Sequence, residues 1–246
     1  MNEPTNAVNT RRDFLKASAG VAAVTLAPGV LFIKVAAAKR DDEAVSSTRR
    51  WGMLINTAQC TDCGVCVDAC VQENGITSHD RPLTDPHWIR KMSVKDTHTG
   101  HVMSLPMLCQ HCESPPCVDV CPTGASFRRE DGIVLVDKHI CIGCRYCMMA
   151  CPYKARSFIH EVTTGQRAHA PRGKGTVESC TMCVHRVDAG EEPACVVACN
   201  SQGNQAMVFG DTKDPESRIS RVLQRFGGQQ VRADLGLNTG VRYLGL

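Results

Sequence analysis

The sequence predicts an α+β fold with long loops and irregular segments, and a core that is stabilised by bound metal clusters. Three observations lead to this prediction. Sixteen cysteines fall into four groups of four, and aromatic residues make up only 4% of the 246 residues, which is few for one large apolar core. Short strand-like runs alternate with turn signals along the chain. The length alone fits one large domain or two small ones.

Residues 1–38 are predicted to be a twin-arginine signal peptide. Arg11 and Arg12 precede a mildly apolar run that ends in an A-x-A pattern at residues 36–38. An ordinary Sec signal and an uncleaved anchor helix are the alternatives, and the Sec route is disfavoured because it would export unfolded thiols into an oxidising compartment. We expect cleavage after Ala38 and a periplasmic protein. No apolar run of 18 residues follows, so no transmembrane helix is expected in the mature chain.

The remaining elements are short. Asp131-Gly132 is the strongest hairpin signal in the chain. Residues 161–178 are Gly-rich and basic, which predicts a solvated loop whose Arg167, Arg172 and Lys174 are candidates to contact an acidic partner. An amphipathic helix over residues 217–226 precedes a tail rich in glycine. Strands are predicted at residues 51–56, 88–94, 101–107, 125–129, 133–136 and 155–160.

The cysteine quartets carry the chemistry. The first and third have the spacing C-x2-C-x2-C-x3-C, whereas the middle gap is four residues in the second and eleven in the last. Three thiolates on one tight loop can hold three irons of a cubane, and the fourth, one helical turn later, reaches a neighbouring cluster. The spacing therefore predicts four 4Fe-4S clusters and electron transfer. The sixteen predicted ligands are Cys60, Cys63, Cys66 and Cys70; Cys109, Cys112, Cys117 and Cys121; Cys141, Cys144, Cys147 and Cys151; and Cys180, Cys183, Cys195 and Cys199.

Other roles for these cysteines are less favoured. Four-cysteine zinc sites usually separate two C-x2-C elements by a longer loop, which only the last quartet resembles. Disulfides suit an exported protein but not this regular spacing. No C-x-x-C is followed by His, which disfavours covalent haem. Since every quartet is complete, His111 and His185 are not expected to be ligands, and apolar residues within the quartets, among them Ile142 and Val196, are expected to shield the sulfurs.

Charge and motifs exclude several functions. The formal net charge is +3, which falls to about +1 without residues 1–38 and to about −7 with four clusters bound. No basic stripe with interleaved aromatics is present, so nucleic acid is not an expected partner. The sequence has no recognisable nucleophile–base arrangement or phosphate-binding loop, and no catalytic residues are predicted.

The chain resembles the four-cluster ferredoxin-type electron-transfer subunits of bacterial respiratory complexes, which accompany dimethyl-sulfoxide, tetrathionate and polysulfide reductases and the formate-dependent nitrite reductase system. The resemblance covers about residues 10–217, and it rests on the four quartet spacings and on Phe209-Gly210-Asp211. Within this family, the twin-arginine signal and residues 172–180 resemble the exported DsrO-type subunit of the membrane complex associated with dissimilatory sulfite reductase (DsrMKJOP).

This resemblance implies two ferredoxin-like units of the βαββαβ type, one inserted in the other. Residues 39–108 and 161–217 would form the outer unit, 109–160 the inner unit, and 218–246 a C-terminal tail. The implied pairing is crossed, so that each cluster takes three cysteines from one quartet and one from another. The implied ligand sets are Cys60, Cys63, Cys66 and Cys199; Cys180, Cys183, Cys195 and Cys70; Cys109, Cys112, Cys117 and Cys151; and Cys141, Cys144, Cys147 and Cys121.

The resemblance also implies partners. It suggests an electron-transfer subunit without its own substrate site, placed between an NrfD-like integral membrane subunit that interacts with quinone and another redox subunit of the complex, for which a multihaem cytochrome c is a candidate. Binding to the membrane would then occur through partner subunits. The alternative is the beta-type subunit of an exported molybdopterin oxidoreductase.

Overall fold

The computed structural model describes residues 45–246; the predicted signal peptide and its cleavage position lie outside the described residues. Within this range no helix has the length and apolar character needed to cross a membrane. The elements, in chain order, are β1 (Trp51–Asn56), α1 (Val65–Asn74), β2 (Ile89–Lys95), β3 (Val102–Leu108), α2 (Pro116–Asp119), β4 (Ser126–Arg128), β5 (Val134–Val136), α3 (Tyr146–Ala150), β6 (Arg156–Phe158), β7 (Val177–Ser179), α4 (Val184–Val187), α5 (Ala194–Ser201), β8 (Met207–Asp211), α6 (Arg218–Phe226), a 3₁₀ turn (Ala233–Leu235) and β9 (Val241–Leu244).

A three-stranded sheet in the order β8-β1-β9 joins distant parts of the chain. Its central strand, β1, has the bounds that the sequence predicts, and it pairs antiparallel with β8 and parallel with β9. Met53, Leu54 and Ile55 are almost fully buried, because a central strand that is covered on both faces needs apolar side chains on both. Residues 218–246, which were expected to form a tail, supply strand β9 of this sheet.

Three two-stranded ladders complete the strand pairing of residues 45–246. The strands predicted at residues 88–94 and 101–107 are confirmed within one residue as β2 and β3, which form an antiparallel hairpin. The hairpin around Asp131-Gly132 is confirmed as β4 and β5. Strand β6 pairs with β7 and not with this hairpin. A ladder thus joins residues 156–158 to residues 177–179, across the boundary expected at residue 160.

The core of the described residues mixes apolar side chains with thiols. Eleven of the sixteen cysteines are buried, three are intermediate, and only Cys63 and Cys144 are exposed. All sixteen are free thiols, so the disulfide alternative finds no support. Because metal binding is coupled to folding, a core with this many buried thiols is expected to depend on bound metal for its stability.

The loop that precedes β7 corrects one prediction. Arg172 is 2% exposed, and its guanidinium donates to both carboxylate oxygens of Glu178, at 2.9 and 2.8 Å. A third bond goes from Arg172 to the carbonyl oxygen of Gly75. The interpretation of Arg172 as a contact for an acidic partner is therefore wrong, because this arginine is buried and already paired.

Candidate metal centres

The fold gathers the sixteen cysteines into four groups of four. Three of the groups line separate cavities. The fourth is recognised because its thiolates raise one another's pKa. We call the groups sites I to IV. Site I is Cys60, Cys63, Cys66 and Cys199; site II is Cys70, Cys180, Cys183 and Cys195; site III is Cys109, Cys112, Cys117 and Cys151; and site IV is Cys121, Cys141, Cys144 and Cys147.

Site I lies where the loop after β1 turns into α1. Gly64 caps the helix at φ 84°, a left-handed conformation that a residue with a side chain adopts at a cost, and so the loop can turn back over Cys66. Cys199 joins the loop cysteines from α5, which packs on α1. Burial raises the pKa of the Cys66 thiol to about 12, and the nearby thiolate of Cys199 adds to the effect.

Site II is as deeply enclosed as site III, because all four cysteines of each site are buried. Burial raises the pKa of Cys70 well above its usual value, and the neighbouring thiolates of Cys180 and Cys183 raise it further. The amide of Asn74, itself buried in the last turn of α1, donates to the Cys70 sulfur at 3.7 Å. Four buried thiolates in one group repel one another unless a cationic centre lies between them.

Site III takes Cys117 from the short helix α2 and Cys151 from the end of α3. Burial raises the pKa of Cys109 and of Cys112 to about 12 each. The guanidinium of Arg156 lines the same cavity and donates to the Cys117 sulfur at 3.1 Å. Arg156 was not singled out from the sequence, because nothing in the composition of residues 155–160 distinguishes a buried cation from a surface one.

Site IV is more open to solvent, since Cys144 is exposed and Cys121 and Cys141 are half-buried. Backbone N–H groups point at its sulfurs: Ser126 donates to Cys121 at 3.3 Å and Val177 to Cys141 at 3.5 Å. Burial alone would raise the pKa of Cys121, but hydrogen bonds from Ser126 and Thr123 outweigh it and lower that pKa to about 7. These donors stabilise a thiolate and so prepare the sulfur to bind metal.

The neighbouring histidines are engaged elsewhere. His111 is fully buried and its Nδ1 accepts a hydrogen bond from the Val134 N–H at 3.0 Å, while burial lowers its pKa to about 3. His185 contacts Glu73 at 2.7 Å and its ring stacks on His169. Of the apolar residues expected to shield the sulfurs, Val196 is fully buried, but Ile142 is 67% exposed and that expectation is wrong for it.

The donor chemistry fits iron–sulfur clusters. At each site the four gathered cysteines offer thiolates, which are the soft ligands that hold Fe–S clusters. Site I also has Asp62 and Lys91 on its wall, but these two form an ion pair at 3.4 Å. Four cysteines can also bind zinc, but no three cysteine sulfurs of residues 45–246 all lie within 4.8 Å of one another, which is wider than one tetrahedral ion needs, and the family relationship completes the choice between the two metals.

Comparison with protein families supplies that decision. Residues 100–212 and residues 59–125 each match a 4Fe-4S dicluster domain family. Together the two matches span all sixteen cysteines. Residues 8–28 match the twin-arginine translocation pathway signal sequence, and the chain is exported to the periplasm by that pathway. The prediction of 4Fe-4S chemistry and of the export route from the sequence is confirmed.

Several characterised proteins are similar over most of the chain. Hdr-like menaquinol oxidoreductase iron-sulfur subunit 1 of Archaeoglobus fulgidus is 40% identical over 95% of this chain and 97% of its own length. A subunit of the tetrathionate reductase of Salmonella typhimurium is 39% identical over 82% of this chain and 74% of its own. Protein NrfC of Escherichia coli is 38% identical over 76% and 77%. The protein therefore belongs to the ferredoxin-type iron–sulfur electron-transfer subunits of membrane-associated oxidoreductase complexes.

Proposed function

We propose that sites I to IV each hold one 4Fe-4S cluster and that the four together relay electrons through the chain. The observation that carries this proposal is the grouping of sixteen thiols into four sets of four, in which each set takes three cysteines from one quartet and one from another. A 4Fe-4S cluster bound by four thiolates accepts and returns one electron without proton chemistry at the protein. This chain would supply the ligands, their spacing and the exclusion of water.

The proposed order of the relay follows from shared elements. Cys66 and Cys70, one turn apart on α1, belong to sites I and II. Cys117 and Cys121, at α2 and just after it, belong to sites III and IV in the same way. Burial and the thiolates of its own site raise the pKa of Cys180 most, and the thiolate of Cys109 in site III raises it further, so sites II and III adjoin. The order is therefore I, II, III, IV, with both sites that contain an exposed cysteine at the ends.

The same arrangement supports two further proposals about architecture. The residues of sites III and IV lie between those of sites I and II in the sequence, which is what an inner ferredoxin-like unit inserted in an outer one requires. We place the units at residues 109–160 and at residues 39–108 with 161–217. We also propose that the chain transfers electrons without a substrate site of its own, as the names of its iron–sulfur relatives suggest.

The partners we propose are an NrfD-like integral membrane subunit that interacts with quinone, and a second redox subunit, for which a multihaem cytochrome c is the leading candidate. The Archaeoglobus relative is named as part of a menaquinol oxidoreductase, which supports the quinone side of the proposal. The twin-arginine signal supports assignment to the exported DsrO type. The protein would be bound to the membrane through these partner subunits.

A second candidate function is favoured by the match to the tetrathionate reductase relative over 82% of the chain. In that case the chain would be the beta-type subunit of an exported molybdopterin oxidoreductase. Native purification from membranes, with identification of every co-purifying subunit, separates the two. A quinone-interacting membrane subunit and a haem protein would support the first function, whereas a molybdopterin subunit would overturn it in favour of the second.

Cluster number and pairing need their own experiment. Anaerobically purified protein should contain about sixteen iron atoms and sixteen acid-labile sulfide ions per chain. It should show a broad absorption at about 400 nm that bleaches on reduction. In Cys199→Ser, the electron paramagnetic resonance signal of the cluster held by Cys60, Cys63 and Cys66 should change. A change confined to the cluster held by Cys180 and Cys183 would contradict the proposed pairing.

A further inference from the structure

A buried arginine lies between two of the cysteine groups. Arg156 is 5% exposed and sits at the start of β6. Its guanidinium donates to the Cys117 sulfur of site III at 3.1 Å and to the Ser126 hydroxyl at 2.8 Å, and Ser126 in turn donates its N–H to the Cys121 sulfur of site IV. The arginine thus contacts one site directly and the other through a single residue.

The charge of Arg156 has no carboxylate partner among residues 45–246. Its Nε has no hydrogen-bond acceptor, and the groups that stabilise its charge are the thiolates of Cys117, Cys109 and Cys147. Cys109 and Cys117 belong to site III, and Cys147 belongs to site IV. Since an isolated charge is expensive to bury, the sulfur groups on both sides must be what balances this one.

Several other buried or half-buried cations are balanced by carboxylates. Arg172, equally buried, is held by both oxygens of Glu178. Arg186, beside site II, pairs with Glu73 and Glu191, and Lys91, beside site I, pairs with Asp62. Each of these cations therefore has much of its field cancelled by an adjacent carboxylate. Arg156, by contrast, has no carboxylate partner among the described residues and contacts a cysteine sulfur directly.

We propose that Arg156 is the shared counter-charge of sites III and IV, and that it raises the reduction potentials of the clusters held there. Reduction adds one electron, and so one negative charge, to a cluster. A fixed cation in a dry environment stabilises the reduced cluster more than the oxidised one, which makes the potential more positive. The inference rests on the proposed assignment of clusters to sites III and IV.

The test is a reductive titration of the anaerobically purified whole chain, followed by electron paramagnetic resonance. In Arg156→Gln two of the four midpoint potentials should move to more negative values while the other two stay in place. Arg156→Lys keeps the charge and should shift the same two potentials by less. Arg81→Gln removes a charge from a half-exposed arginine that pairs with Glu161, and all four potentials should be unchanged.

The outcomes are distinct. A shift of one cluster only, a uniform shift of all four, or no shift in a fully loaded Arg156→Gln protein overturns the proposal. If Arg156→Gln assembles only the clusters of sites I and II, the Arg156→Lys variant decides. Assembly of all four clusters in Arg156→Lys supports the role of charge, and loss of the clusters of sites III and IV in this variant as well overturns it. The iron and sulfide content of the wild-type chain is measured in parallel. A content of about sixteen each means that the cluster assignment holds and that any failure belongs to the inference about Arg156.

Discussion

The inner and outer pairs of sites reach similar geometry by different routes. The cysteines of sites III and IV all lie between residues 109 and 151, on two short helices and the loops around the β4-β5 hairpin. Those of sites I and II come from two segments, residues 60–70 and 180–199, which the fold must bring together. The helices α1 and α5, which carry four of the eight outer cysteines, are also longer than α2 and α3.

This difference indicates that the outer pair of sites should be lost more easily than the inner pair. Cys60 and Cys199 are 139 positions apart, against 42 for Cys109 and Cys151, and closing the longer loop costs about 1 kcal/mol more in chain entropy. The outer pair also depends on the β8-β1-β9 sheet, whose third strand comes from the last residues of the chain. The cysteines of the inner pair can gather from one local segment, although Val177 adds a hydrogen bond to Cys141 from further along the chain. The outer pair needs distant segments to supply the cysteines themselves.

Removal of iron should have the largest effect, and it should unfold the outer region before the inner one. A strong chelator under oxidising conditions should abolish most of the regular structure of the chain, since eleven buried thiols would then crowd together without metal. Far-ultraviolet circular dichroism measures the overall loss. Amide hydrogen exchange at intermediate iron content should show β1 losing protection before the β4-β5 hairpin.

The control for that experiment is the same chelator under conditions that leave the clusters intact, which should change neither measurement. A protein that is free of iron and yet keeps its native circular dichroism would contradict the claim that the clusters hold the fold together. Simultaneous loss of protection in both regions would show that inner and outer pairs unfold as one unit.

Much of this architecture follows from the sequence. Short apolar runs and turn residues predict strands β1, β2 and β3 and the hairpin at Asp131-Gly132 within about a residue, because their signals are local. Quartet spacing predicts 4Fe-4S chemistry for the same reason, since three ligands lie on one loop. Spacing also predicts that the fourth cysteine of a quartet reaches a neighbouring cluster, but which quartets exchange that cysteine came from the resemblance to a family.

What sequence reasoning missed is long-range or depends on burial. Strand β9 is four residues long and pairs parallel with β1. Because a parallel pair is not joined by a tight turn, no local turn signal in the sequence predicts it. Arg172 lies in a basic, Gly-rich segment that resembles a solvated loop, and only the fold reveals that Glu178 is within reach. Arg156 is similar, since a cation between two cysteine groups is recognisable only when both groups are in place.

Two glycines offer a smaller and more local test of the comparison. Gly64 in site I and Gly143 in site IV each lie in a cysteine loop at positive φ, 84° and 70°. A methyl group on Gly143 would collide with the backbone oxygen of Gly175, whereas on Gly64 it would meet only the flexible end of Lys91 at 3.6 Å. Gly143→Ala should therefore disturb site IV, whereas Gly64→Ala should cost only about 1–2 kcal/mol of left-handed strain.

Iron content and denaturant unfolding of the two alanine variants measure this contrast. Gly143→Ala should bind less iron than wild type, and Gly64→Ala should bind the normal amount with a modestly lower free energy of unfolding. Equal behaviour of the two variants would mean that the contact between the site IV loop and Gly175 yields easily, and that the inner pair is less tightly built than its geometry implies.

The smallest effect expected is a dependence on pH that is confined to the inner region. Burial lowers the pKa of His111 from 6.5 to about 3, so an opened state takes up a proton first as the pH falls. The stability from neutral His111 is complete above pH 6.5 and is lost progressively toward pH 3, by about 1.4 kcal/mol at pH 5.5. Since the Val134 N–H donates to His111, the protection of this amide should fall about tenfold relative to that of Leu54 in β1. Parallel changes at both amides would mean that the two regions open together, and no change at Val134 would mean that His111 is not exposed when the inner region opens.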